Sequence, residues 1–152
     1  MIAMIQDDLP RTRFQGTHDP VTEQIIRVFY DVYNELGYGF LESVYREAMR
    51  IALTQMGYTV ETEVPIEVHF RGITIGIFRA DLVVQRSILL ELKTVEQLIR
   101  SHESQVLNYL RSTLLETALL LNFGPVPRLK RLAMSNDRKP IAKINKISDN
   151  QR

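Results

Sequence analysis

Asp81, Glu91 and Lys93 have the types and spacing to do chemistry. If Arg86 centres a short loop, the flanking strands pair Val84 with Ile88, Leu82 with Leu90, and Asp81 with Glu91. Opposed residues in an antiparallel pair hold their Cβ atoms ~4.5–5.5 Å apart, and like charges placed so destabilise a sheet. Both strands are otherwise apolar, so water screens the repulsion poorly. Two carboxylates held together there suit a divalent cation between them. Lys93 follows Glu91 by two residues, on the same face and about 6.6 Å along the strand. It can neutralise part of the acidic pair or act on a reacting group. The alternative is a buried Glu–Lys pair with a structural role only.

A third carboxylate, Glu42, falls inside the apolar face of a helix formed by Leu41, Tyr45, Met49, Ala52, Leu53 and Met56. A charge there needs a partner or a cation. An i, i+4 ion pair with Arg46 that swings Glu42 outward is an equal alternative. Gln105 and Tyr109 lie one turn apart on another helix and share a face. An amide and a phenol can orient a phosphate or a water; a helix-boundary Gln and a core Tyr would look the same. His18, His69 and His102 have no metal-ligand spacing. The chain contains neither a GxxxxGK[ST] loop nor a GxGxxG element, and no Ser stands in a nucleophile elbow.

The elements that must position these groups follow from periodicity. Asp19-Pro20 is a helix start, with the Asp as N-cap and Pro in the first turn. Ile25, Val28, Phe29, Val32 and Leu36 recur at helical spacing, which predicts a helix over 20–36. Gly37-Tyr38-Gly39 breaks it, and a second helix runs over 40–56 to Gly57. Val60, Thr62, Val64, Ile66, Val68 and Phe70 alternate with Glu61, Glu63, Pro65, Glu67 and His69. That is a strand with one wet face, and Pro65 marks it as an edge. Residues 73–84 and 88–95 are apolar on both faces, as strands inside a covered sheet are. A helix over 101–115, a strand over 117–123 and a short strand over 129–134 complete the order ααβββαββ. This is an α+β domain, helices against a mixed sheet.

The chain's 152 residues suit one domain, and its 45% apolar and 24% charged content exclude a disordered or fibrous chain. No apolar run approaches the ~18 residues of a membrane helix, so no membrane is expected as partner. The first ten residues hold Asp7 and Asp8 and lack the basic start of a secretory signal. Cysteine is absent, which excludes disulfides and a thiolate nucleophile and agrees with a reducing, cytoplasmic setting. Charge is uneven: residues 1–127 hold 11 Lys or Arg against 16 Asp or Glu, a net −5, and residues 128–152 hold 8 against 2, a net +6. A basic end suits a polyanion, with Lys130, Arg131, Arg138 and Lys139 as candidate nucleic-acid contacts. A solvated tail that aids solubility explains the same charge. The expected organisation is an arm over 1–18, a folded domain over 19–135, and a basic, disordered tail over 136–152.

Gly39-Phe40-Leu41-Glu42-Ser43-Val44-Tyr45 resembles the pattern of the small bacterial GxxExxY family. Arg79-Ala80-Asp81-Leu82-Val83-Val84, followed by Leu90-Glu91-Leu92-Lys93, resembles the core of the PD-(D/E)xK nuclease superfamily. Gln105-Val106-Leu107-Asn108-Tyr109-Leu110 is similar to the QxxxY element of its RecB-like branch. Leu121-Asn122-Phe123-Gly124 and Leu129-Lys130-Arg131-Leu132 are similar to its closing strands. The likeness spans about residues 20–134, with Ala80 in place of the superfamily's Pro.

This resemblance implies a restriction-endonuclease-like α/β sandwich, a central mixed sheet flanked by helices. It implies metal ligation by Asp81 and Glu91, joined by Glu42 and the Leu92 backbone carbonyl. Lys93 would stabilise or activate the attacking water, and Gln105 and Tyr109 would line the site. The implied cofactor is Mg²⁺ or Mn²⁺, the implied partner nucleic acid, chiefly DNA, and the implied activity phosphodiester hydrolysis. A homodimer is compatible with the sequence. Two further readings stay open: a catalytically silent module of the same fold that binds nucleic acid or a protein, and a hydrolase of another phosphate ester.

Overall fold

The computed structural model describes residues 19–140. The expected arm over 1–18 and the tail beyond Pro140 lie outside the described residues. Helix α1 (Pro20–Leu36) starts as its sequence predicts: the Asp19 carboxylate accepts from the Val21 N–H at 3.0 Å and from the Thr22 hydroxyl at 2.9 Å. Helix α2 (Glu42–Gln55) follows, then strands β1 (Val60–Phe70), β2 (Ile73–Val84) and β3 (Ile88–Lys93). Helix α3 (Arg100–Arg111) crosses to β4 (Thr117–Phe123), and β5 (Pro127–Ala133) closes the sheet.

The strands lie in the order β1-β2-β3-β4-β5. Only β3 and β4 run parallel, because α3 carries the chain back across the sheet between them. Helices α1 and α2 cover one face, where Ile25, Phe29, Tyr45 and Met49 pack on Leu82, Leu90, Leu92 and Leu121. Helix α3 covers the other, where Val106, Tyr109 and Leu110 pack on Ala80, Val83, Leu89 and Leu120. The result is the expected three-layer α/β sandwich with a mixed sheet. None of the described helices is long and apolar enough to cross a membrane.

Four expectations change. Leu41 and Met56 stand outside the core, 76% and 46% exposed, because α2 spans only 42–55 and they flank its ends. The first half of β2 is not covered: Ile73, Ile75 and Ile77 are each at least 60% exposed, because the β1–β2 ribbon runs on past the helices. Helix α3 stops at Arg111 rather than residue 115, with the Ser112 hydroxyl donating to the Asn108 carbonyl. Finally, the folded unit does not end at Ser135. A 3₁₀ turn over Asn136–Arg138 docks on the domain, with Asn136 donating to the Glu116 carboxylate and the Leu114 carbonyl.

The same turn corrects the reading of Lys139. Its side chain is fully buried, and its Nζ donates to the Thr113 and Leu115 carbonyls. Those carbonyls lie just beyond the end of α3, so Lys139 secures the exit of the helix. It is not a surface contact for phosphates.

Candidate active site

The loop Gln85-Arg86-Ser87 sets the expected hairpin register, with Val84 opposite Ile88, Val83 opposite Leu89 and Leu82 opposite Leu90. The ladder then stops, one step before Asp81 and Glu91. There the Asp81 carboxylate replaces a backbone acceptor: its Oδ2 takes the Leu92 N–H at 2.8 Å. The strands part at this point, and the two carboxylates meet in the fork.

The pleat also slips here. Ala80 and Val83, three residues apart, face the same α3-side core, whereas a regular strand would set them on opposite faces. Strand β1 slips in step. Thr62 pairs with Leu82 and Val64 with Ala80, which leaves Glu63 across from Asp81. Glu63 adopts φ +48, a left-handed conformation uncommon outside glycine.

Two acids facing each other need a cation between them. Arg46 supplies it, with Nη1 3.3 Å from Asp81 Oδ1 and Nη2 3.6 Å from Glu63 Oε1. Glu42, one turn earlier on α2, takes no part in that ion pair and lies half-buried at the helix start. Helix α2 is aimed by Tyr45. Its hydroxyl donates to the Gly37 carbonyl at 2.6 Å and accepts the Phe40 N–H at 3.3 Å, while its ring stacks on Phe123 at 4.2 Å. The turn it clamps contains Gly39 at φ +114, where a side chain would be strained. Gly39 and Tyr45 therefore act together as a fastener that directs Arg46 toward the sheet.

Glu91 is 6% exposed, and its Oε2 is buried with no hydrogen-bond partner. Burial, and after it the charge of Asp81, pushes the Glu91 carboxyl up to about 8, while Lys93 pulls the other way. At neutral pH the group thus holds a proton in place of a second positive charge. Lys93 ends β3, opposite Asn122 on β4. The buried Asn122 side chain accepts the Val95 N–H at 3.0 Å and donates to the Val95 carbonyl at 2.9 Å, which holds the chain leaving Lys93. Gly124 allows that approach: a Cβ there would lie 2.3 Å from the Val95 oxygen.

Tyr109 stands on the α3 side of the pair. Burial and then Glu91 push its phenol up to about 12, against a hydrogen bond from Gln105. Gln105 and Tyr109 therefore act as a unit beside the carboxylates. Among the described residues, no three His, Cys, Asp or Glu side chains group closely enough to hold an ion together. The carboxylates assembled are a pair, Asp81 and Glu91. An orphaned, buried Glu91 oxygen beside a second carboxylate suits an oxygen-seeking divalent ion such as Mg²⁺, which keeps several waters and needs few protein ligands.

The basic candidates are divided. Lys130 pairs with Glu103 of α3 at 2.8 Å, Arg131 is half-buried with its Nε unpartnered, and Arg138 is exposed. The sequence reading missed Arg46 and Glu63 as neighbours of Asp81. Arg46 entered it only as a partner for Glu42, and Glu63 only as one of three acids on a wet strand face. Counting back from the Arg71-Gly72 turn sets Asp81 opposite Thr62, and a bulge between Val68 and His69 moves the register by one.

A three-layer sandwich with a split acidic hairpin and a lysine two residues on is a nuclease-type architecture. Residues 19–132 match the PD-(D/E)XK nuclease superfamily, and the chain belongs to it. Among solved structures, the protein SSO0001 superposes with a TM-score of 0.49 at 16% identity, covering 91% of this chain and 88% of that one. No curated protein matches the chain.

Proposed function

We propose that this protein is a Mg²⁺- or Mn²⁺-dependent nuclease that hydrolyses phosphodiester bonds of DNA. The observation that carries the reading is the Asp81–Glu91 pair, with Glu91 Oε2 buried and unpartnered and Lys93 close enough to act on its charge. Hydrolysis needs a nucleophilic water and a stabilised extra negative charge, and a carboxylate-held divalent ion supplies both. Asp81 and Glu91 hold that ion in this reading, with the Leu92 carbonyl as a further ligand. Glu42 joins from the start of α2 once Arg46 moves off Asp81. Lys93 attracts and orients the attacking water and offsets charge on the phosphate. Gln105 and Tyr109 hold the phosphate's free oxygens. We place the chain in the GxxExxY group and the RecB-like branch on its Gly39–Tyr45 and Gln105–Tyr109 patterns, and its nucleic-acid surface on Lys130, Arg131 and Arg138.

The test is cleavage of single-stranded, duplex, flapped and branched DNA with EDTA, Mg²⁺ or Mn²⁺. Metal-dependent cleavage that falls on the order of 10²-fold or more in Asp81→Asn and Lys93→Ala supports the reading. Lys93→Ala should lower turnover far more than DNA binding. One observation favours a second reading, a silent nucleic-acid-binding module: the Arg46 guanidinium lies 3.3 Å from Asp81 Oδ1 and neutralises one of the carboxylates that would hold an ion. DNA binding with no cleavage under any metal would decide for it.

A further inference from the structure

A cleft of about 530 Å³ opens between β2 and α3 and shares Tyr109 with the surroundings of the carboxylate pair. That volume lies within the ~300–1,000 Å³ of sites that take small ligands. One wall is aromatic. Phe78 is 45% exposed, and its ring lies 5.5 Å from that of Tyr109 at a 43° tilt, so Tyr109 braces a ring that still presents surface to solvent. The opposite wall is the first turns of α3, with Arg100, Ser101, Ser104 and Gln105, and among the described residues no acidic one lines the cleft.

The start of α3 is itself underused. Its N-cap is Ile99, whose side chain has no acceptor to offer, and His102 Nδ1 accepts the Ile99 N–H rather than any inside the helix. The His102 N–H donates to the Ile99 carbonyl at 3.0 Å, and the Arg100 and Ser101 N–H groups, at the positive end of a 12-residue helix, are left for an outside acceptor. An anion meets those groups and the Arg100 guanidinium together. Tyr109 belongs to both places: it lines the cleft, and its phenol lies within the electrostatic reach of Glu91 and Asp81.

An exposed aromatic ring, a cation and unpaired N–H groups at a helix start in one cleft match the parts of a nucleotide. We propose that the cleft is a nucleotide subsite: one unpaired base of a DNA strand stacks on the exposed ring of Phe78, and its phosphate sits on Arg100 and the first turn of α3. This rests on the nuclease reading for its purpose, since the strand then leads its next phosphodiester to Asp81 and Glu91. A duplex buries its base faces against each other and offers none to Phe78 without unpairing. The site therefore selects single strands, flaps or frayed ends over intact duplex. Stacking is tolerant of sequence because every base has a π-face.

The chain has no tryptophan, so Phe78→Trp places one reporter in the cleft. The probe is a short labelled oligothymidylate, compared with the same strand in a blunt duplex, in EDTA so that no cleavage intervenes. The single strand should bind tighter than the duplex and quench the Phe78→Trp emission. Phe78→Ala should weaken single-strand binding roughly 5- to 100-fold, the effect of losing one base stack. Arg100→Ala should lower the salt dependence by about one phosphate contact. Equal binding of strand and duplex, or no quenching in a folded Phe78→Trp protein, overturns the subsite. The same proteins with Mg²⁺ separate the two ideas. Cleavage that is indifferent to Phe78 leaves the nuclease standing and removes the subsite. Quenching and single-strand preference with no cleavage keep the subsite and remove the nuclease.

Discussion

Raising the pH should weaken the metal-free protein, and Glu91→Gln should cancel the effect. The folded chain holds the Glu91 proton up to about pH 8, whereas the unfolded chain releases it near the ordinary carboxylate value of 4.5. Between those limits the folded state binds one more proton than the unfolded state. Unfolding free energy therefore falls as pH rises, by up to ~1.4 kcal/mol per pH unit from this group. Across pH 5 to 8 the loss reaches a few kcal/mol, a large share of a typical domain stability of about 5–15 kcal/mol. Denaturant titrations in EDTA at several pH values, on the native protein and on Glu91→Gln, measure it directly. Glutamine keeps the shape and carries no charge. The two proteins should be close at pH 5, and the variant should be more stable by roughly 2–4 kcal/mol at pH 8. Subtracting the curves removes the titration of every other group. A divalent ion must displace the same proton, so its apparent affinity should rise with pH up to about tenfold per unit below pH 8. Parallel stability curves for the two proteins would show that Glu91 ionises normally, and the argument for a charge-starved site would fail with them.

Three further outcomes follow from the geometry. Arg46→Ala leaves Asp81 facing Glu63 without a cation; melting in EDTA should fall by the equivalent of about 1–3 kcal/mol, and Mn²⁺ should restore more stability to the variant than to the native protein. Lys139→Met strips the donor from the Thr113 and Leu115 carbonyls and should cost about 1–3 kcal/mol in denaturant titration. Burial lowers the Lys139 amine to about 8, so the unfolded state binds the extra proton above that value; native stability should climb from pH 8 toward 10.5, and Lys139→Met should lose the climb. Gly124→Ala drives a Cβ to 2.3 Å from the Val95 carbonyl and should destabilise the fold by roughly 1–3 kcal/mol, read as a lower melting temperature.

Much of this molecule is local and therefore legible in one dimension. Asp19-Pro20 starts α1 because a carboxylate two residues ahead of an N–H is placed to cap it whatever the rest of the chain does. The period-2 pattern around Pro65 marks β1 as an edge, and a three-residue loop centred on Arg86 sets Leu82 opposite Leu90. The meeting of Asp81 and Glu91 rests on that short loop, so the carboxylate pair was visible before any fold was known. What the chain alone did not show depends on registers and contacts built over long separations. One bulge between Val68 and His69 shifts β1 by a residue, and that shift sets Glu63 rather than Thr62 across from Asp81. Arg46 joins them because Tyr45 clamps the Gly37 turn and stacks on Phe123, 78 residues away in sequence. Lys139 reads as a surface cation in a basic end, and only the docking of the 3₁₀ turn carries it under the last residues of the α3 exit. Side-chain type and spacing report which groups are near along the chain. Which of them share a charge is decided by how the sheet slips and the helices close over it.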